Sequence, residues 1–158
     1  MLEIGATAPD FALSDDRGGS FRLRDHKGAP VVLEFYCEDD TGGCVIENQE
    51  FSALAPEFEK LGARIVAISP QDVESHRKFS AKYDFAQPLL ADPDRKAIEP
   101  YGLWQQKKLW GHEFMGVVRV TYLIDAKGKI AGVFKASRIK GHAQKVLDAT
   151  RQLVASSR

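Results

Sequence analysis

Residues 31–44 read VVLEFYCEDDTGGC. After the break at Lys27-Gly28-Ala29-Pro30, the β-branched and aromatic side chains of Val31, Val32, Leu33 and Phe35 have the composition of a strand in the middle of a sheet. A polar segment follows and ends in Gly42 and Gly43. From Cys44 onward Phe51, Leu54, Phe58 and Leu61 recur at the three- and four-residue spacing of a helix face, with Pro56 as a kink and Gly62 as the stop. The stretch therefore leaves a buried strand and enters a helix, and Cys44 stands at the helix start.

Outward from this unit the pattern repeats. Arg64 to Ser69 (RIVAIS) reads as a second buried strand, and Asp72 as the cap of a helix carrying Val73, His76, Phe79 and Tyr83 on one side. Residues 88–91 suggest a short strand, 92–94 a turn and 95–101 a short helix. Residues 102–116 hold both tryptophans, Trp104 and Trp110, without a clean period, and read as a loop that covers a core edge or docks a partner. Val117 to Ile124 and Lys129 to Phe134 are strand runs joined by the turn Asp125-Ala126-Lys127-Gly128, and His142 to Val154 is a closing helix. Upstream, the turn-rich residues 15–19 before Ser20-Phe21-Arg22-Leu23 suggest a β-hairpin. The order implies an α/β fold, a thioredoxin-like mixed sheet flanked by helices with an N-terminal β-hairpin. No repeat or linker interrupts it, so one domain over residues 1–158 is expected.

Composition narrows the chemistry. The 158 residues carry 22 basic and 22 acidic side chains and no long run of one sign, which argues against nucleic acid or a membrane surface as partner. Residues 1–10 lack a basic stretch followed by an apolar one, so a cytoplasmic location is expected. In that compartment the two cysteines, Cys37 and Cys44, are reactive, metal-binding or buried thiols rather than a structural disulfide. A sulfur at a helix N-terminus faces unpaired N–H groups and the positive end of the helix dipole, which favour the thiolate. Gly42 and Gly43 leave the sulfur approachable, and the Thr41 hydroxyl can reach either the thiolate or a substrate oxygen. A buried packing cysteine is the plain alternative.

The stretch FYCEDDTGGCVIENQEF resembles the peroxidatic motif of peroxiredoxins, with Thr41 and Cys44 in register. LGARIVAISPQDVESHRKFSAKYDFAQPLLADPD, GVVRVTYLIDAKGKI and KGHAQKVLDA extend the likeness to the bacterioferritin co-migratory, or Q-type, peroxiredoxins over nearly the whole chain. The resemblance implies a thiol peroxidase acting on hydrogen peroxide and small organic hydroperoxides. Cys44 would be its nucleophile, and Arg119 a strand-borne cation against the sulfur. Glu47 would orient that arginine, and Gly43 would support the site. It also implies no cofactor or metal, a thioredoxin, glutaredoxin or small-thiol reductant, and a monomer or homodimer.

Two departures stand out. Cys37 replaces the motif proline, and the positions where relatives carry a resolving cysteine hold Gln49 and Ser80. The sulfenic acid left on Cys44 is then reduced by an external thiol or resolved by Cys37, unless Cys37 only fills the proline's space. Competing readings are a peroxide sensor built on the same thiol and a thioredoxin-fold copper carrier. The six-residue gap between the cysteines disfavours the carrier, as does the lack of any i, i+4 pair among His26, His76, His112 and His142, which read as surface histidines. No Cys-X-X-Cys and no phosphate-binding glycine loop is present, and Asp39-Asp40 reads as a solvated loop edge.

Overall fold

The computed structural model describes residues 1–157. Its central sheet has five strands in the order β5-β4-β3-β8-β9, formed by β3 (Val31–Phe35), β4 (Arg64–Ser69), β5 (Leu89–Ala91), β8 (Val120–Ile124) and β9 (Ile130–Lys135). β3, β4 and β5 run parallel, whereas β8 is antiparallel to both β3 and β9. The two parallel crossovers are supplied by helices α1 (Gly42–Lys60) and α2 (Val73–Tyr83), and α3 (His142–Ser156) closes the chain. Among the described residues no helix is long and apolar enough to cross a membrane.

Alternation along β3 divides the core between two faces. Val31, Leu33 and Phe35 join Val66, Ile68, Tyr101, Tyr122 and Ile124 on one face. That face is covered by the hairpin of β1 (Ala12–Ser14) and β2 (Ser20–Arg22) through Phe11, Leu13 and Phe21. Val32 points the other way and packs with Phe51 and Phe58 of α1, Leu123 of β8 and Val146 and Leu147 of α3. Tyr36, Ala67, Leu89 and Phe79 of α2 continue this second side around Cys44. Glu34 shares the parity of Val32 and Tyr36, so a carboxyl enters the α1 side of the sheet from its central strand.

Local signals placed most of these elements. Asp72 caps α2 by accepting from the Ser75 N–H at 2.9 Å. Pro56 lies within α1 without ending it. Three expectations are corrected. Residues 95–101 form successive turns rather than a helix, because the buried Asp92 carboxylate accepts from the backbone N–H groups of Lys96, Ala97 and Ile98 and gathers the chain around itself. Residues 102–116 are not a loop: β6 (Trp104–Leu109) and β7 (His112–Val117) form a separate two-stranded hairpin, turned by Trp110 and Gly111 at φ 53° and 79°. The run from Val117 to Ile124 is likewise two strands, with Val117 ending β7 and Val120 opening β8. Trp104 packs against the core with the Arg95 guanidinium over its ring at 4.4 Å, while Trp110, at the turn, is 90% exposed.

Candidate active site

α1 begins at Gly42, two residues earlier than its apolar spacing suggests, with Thr41 as N-cap and Cys44 in the first turn. The Cys44 N–H is therefore among those without an intrahelical acceptor, since the first helical bond is Val45 N–H to the Thr41 carbonyl at 2.8 Å. The Cys44 residue is fully buried. The Thr41 hydroxyl donates to the Glu38 carbonyl at 3.0 Å, and it also favours the Cys44 thiolate.

The loop between β3 and α1 is fixed from below by α2. The Asp39 carboxylate accepts from the Tyr36 hydroxyl at 2.6 Å and the Ser75 hydroxyl at 2.8 Å, and lies 2.6 Å from Nδ1 of His76. His76 Nε2 lies 2.9 Å from the Leu90 carbonyl, so the ring is buried with both nitrogens occupied. Asp40, at φ 56°, accepts from Lys82 at 2.8 Å and Tyr83 at 3.0 Å. Two readings change accordingly. Asp39 is a buried anchor rather than a solvated edge, and His76 and His142 are core residues rather than surface ones. Sequence alone missed this because, Tyr36 apart, the partners come from other elements.

Arg119 lies in the two-residue break before β8 and turns inward. Its Nη2 donates to Cys44 Sγ at 3.4 Å and its Nε sits 3.2 Å from Glu47 Oε2, with the side chain 24% exposed. Gly43 makes the approach possible, because a Cβ there would stand 3.3 Å from Arg119 Nη2 and 2.7 Å from Ile139 Cδ1. Thr41, Gly43, Cys44, Glu47 and Arg119, chosen from the sequence, thus meet at one place.

Cys37 joins them. Its thiol donates to the Val117 carbonyl at 3.2 Å, Lys107 Nζ of the β6–β7 hairpin lies 3.4 Å from its sulfur, and its titration is tied to that of Cys44. Cys44 is held down to about 4 by the Cys37 S–H first, then by the Thr41 hydroxyl, the Glu38 backbone and the Arg119 charge, against the opposing effect of burial. Cys37 moves the other way, because it keeps its proton for the Cys44 thiolate and is itself half sealed from water. The pair therefore holds one thiolate, on Cys44. Gln49 is exposed on α1 and Ser80 half-buried on α2.

Two participants were not singled out from the sequence. Lys107 carried no signal there, since its placement needs the hairpin. Glu34 did carry one, a lone charge inside VVLEF: it is fully buried, and neither carboxyl oxygen has a hydrogen-bond partner among the described residues. Burial, with Glu47 and the Cys44 thiolate nearby, raises its pKa well above the carboxylate range.

A thioredoxin-type sheet that presents a low-pKa thiol at a helix N-terminus, faced by an arginine, defines a class of thiol-dependent peroxidases. The chain belongs to the AhpC/TSA family, which it matches over residues 4–133, and within it to the peroxiredoxins of the Bcp or Q type. It is 42% identical over 147 residues to a Bcp peroxiredoxin of Helicobacter pylori, covering 93% of this chain and 97% of the relative. It is 36% identical over 152 residues to peroxiredoxin Bcp of Bacillus subtilis, covering 96% and 97%. The structure of the bacterioferritin comigratory protein of Xanthomonas campestris, described for its alkyl peroxide reduction, superposes with a TM-score of 0.89 at 36% identity over 98% of both chains.

Proposed function

We propose that residues 1–158 act as a single catalytic domain in which Cys44 is the peroxidatic cysteine and Cys37 the resolving one. The observation that carries this reading is the guanidinium of Arg119 at 3.4 Å from Cys44 Sγ, on a thiolate that a second thiol also faces. The Cys44 thiolate attacks one peroxide oxygen, the O–O bond breaks, and the other oxygen leaves as hydroxide or alkoxide to be protonated. Arg119 and the Thr41 hydroxyl hold the peroxide and stabilise the charge that develops on the leaving oxygen. Glu47 stands beside the guanidinium, 3.2 Å from Arg119 Nε. A sulfur without exposed surface admits small, narrow oxidants, which fits hydrogen peroxide and small organic hydroperoxides.

Oxidation also switches Cys37 on. Once Cys44 is a neutral sulfenic acid it no longer claims the Cys37 proton, and Lys107 and Arg119 both favour the Cys37 thiolate. That thiolate attacks the Cys44 sulfur, the S–O bond breaks, the leaving hydroxide takes up a proton in place of the one Cys37 lost and departs as water, and a Cys37–Cys44 disulfide remains for an external dithiol of the thioredoxin type, in keeping with a cytoplasmic enzyme. The test is intact-mass analysis after one equivalent of hydrogen peroxide without added thiol. Loss of two hydrogens with Cys37 linked to Cys44 is expected, and a lasting added oxygen on Cys44 would overturn the resolving role. Peroxide turnover retained by Cys44→Ser would overturn the whole assignment.

A further inference from the structure

We propose that Glu47, backed by the neutral acid Glu34, is the internal proton store of the peroxide-reducing step. The inference rests on the reading of Cys44 as the peroxidatic thiol. Three acids meet inside the protein, namely Cys44 and Glu47 of α1 and Glu34 of β3, and each is at most 1% exposed. The other groups facing Glu47 are Arg119 at 3.2 Å, Glu50 of its own helix, and His142 of α3 with Nε2 at 3.8 Å. His142 is buried against the Thr121 hydroxyl at 2.8 Å, with Lys145 and Arg119 also working against its protonated form, so it is neutral at neutral pH. Among the described residues Arg119 is thus the one cation facing all three acids.

The contacts show how that cation is engaged. Arg119 donates from Nη2 to the Cys44 sulfur, whereas its Nε is out of line with Glu47, and both Glu47 oxygens lack a hydrogen bond among the described residues. In the reduced enzyme the guanidinium is the counter-ion of the thiolate, and Glu47 and Glu34 keep their protons because a second buried anion would be uncompensated. Attack on the peroxide removes that thiolate. Arg119 is then free to stabilise Glu47 as carboxylate, and the proton that Glu47 gives up balances the one taken by the leaving oxygen. Cys44 thiolate, hydroperoxide and Glu47 acid become Cys44 sulfenic acid, alcohol or water, and Glu47 carboxylate. When the dithiol reductant restores the Cys44 thiolate, it returns one proton to Cys37 and the other to Glu47. Glu34 has no cation of its own and stays neutral throughout, which confines the hand-over to Glu47.

Proton counting tests this directly. With a pH-indicator dye in weakly buffered solution near pH 7, one equivalent of hydrogen peroxide should oxidise the enzyme with almost no proton uptake, because the store supplies it. Glu47→Gln should instead draw about one proton from solvent per Cys44 oxidised. Burial and the Cys44 thiolate hold Glu47 up at about 8, so the wild type should also begin to draw a proton from solvent above that pH. Infrared difference spectra, oxidised minus reduced, should show the loss of one protonated-carboxyl band in the wild type and no such loss in Glu47→Gln. The band removed by Glu34→Gln should persist through oxidation with only a shift. One proton taken up by the wild type near neutral pH, or no loss of a carboxyl band, would overturn the proposal even though mass analysis found Cys44 oxidised. If Cys44 is not oxidised at all, it is the peroxidatic assignment that has failed.

Discussion

Replacing Cys37 by serine and, separately, by alanine isolates the contact that most lowers the Cys44 pKa. Serine keeps a donor at the position and alanine removes it, while both leave Cys44 as the only thiol. A hydrogen bond to a charged acceptor contributes about 1.5–3 kcal/mol, and each pKa unit corresponds to about 1.4 kcal/mol, so its loss should raise the thiol by roughly one to two units. Starting from about 4, the Cys37→Ala midpoint should fall near 5 to 6, whereas Cys37→Ser should stay close to the wild type. The assay is the rate of alkylation by iodoacetamide against pH, checked by the ultraviolet absorbance of the thiolate. Because Thr41, the Glu38 backbone and Arg119 still face the sulfur, both variants should remain ionised at neutral pH and keep the first oxidation step. Neither should form an internal disulfide. The Cys37 thiol has a rival acceptor in the Val117 carbonyl at 3.2 Å. If its proton is committed there, alanine, serine and wild type will titrate together, and that result would refute the argument that Cys37 activates Cys44.

Three further outcomes are expected. Arg119→Gln removes the cation at 3.4 Å from the sulfur and should lower the second-order rate of peroxide reduction by about a hundredfold or more, measured by stopped-flow fluorescence with the fold checked by circular dichroism. Gly43→Ala places a methyl group against Ile139, which can move, and Arg119, which cannot without leaving the sulfur. It should slow peroxide reduction more than it changes the urea midpoint, and unaltered kinetics would show that the guanidinium has room to spare. His142 is held down to about 4, first by burial and then by the charges of Lys145 and Arg119. The unfolded chain, with an ordinary histidine near 6.5, therefore binds that proton first, and stability should fall as pH drops from about 6.5 to 4 by up to roughly 3 kcal/mol. Urea titrations across that range should show a shallower decline in His142→Gln.

Two of the regions that sequence and structure read differently have a common cause. Residues 95–101 include Pro100, which weakens a helix there, and three of their amides are drawn to Asp92. Residues 104–117 pair only with one another, across a turn of two left-handed residues of which one is Trp110, a residue type that seldom marks such a turn. In both cases the deciding interaction is a hydrogen bond, which hydrophobic period does not report.

What the sequence alone determined were features that act over a few residues: the VVLEF strand, the helix that begins beside Cys44, the Asp72 cap, and, through its likeness to the peroxiredoxins, the choice of Thr41, Cys44, Glu47 and Arg119. These follow from side-chain periodicity and from chemistry written in short motifs. The electrostatic state of the site, by contrast, arises only when the chain is packed. Lys107 reaches Cys37 from the β6–β7 hairpin, Glu34 meets Glu47 across the sheet–helix interface, and Arg119 comes to Cys44 from seventy-five positions away. The reason is physical: a pKa depends on distance and on exclusion of water, and both are properties of the packed chain.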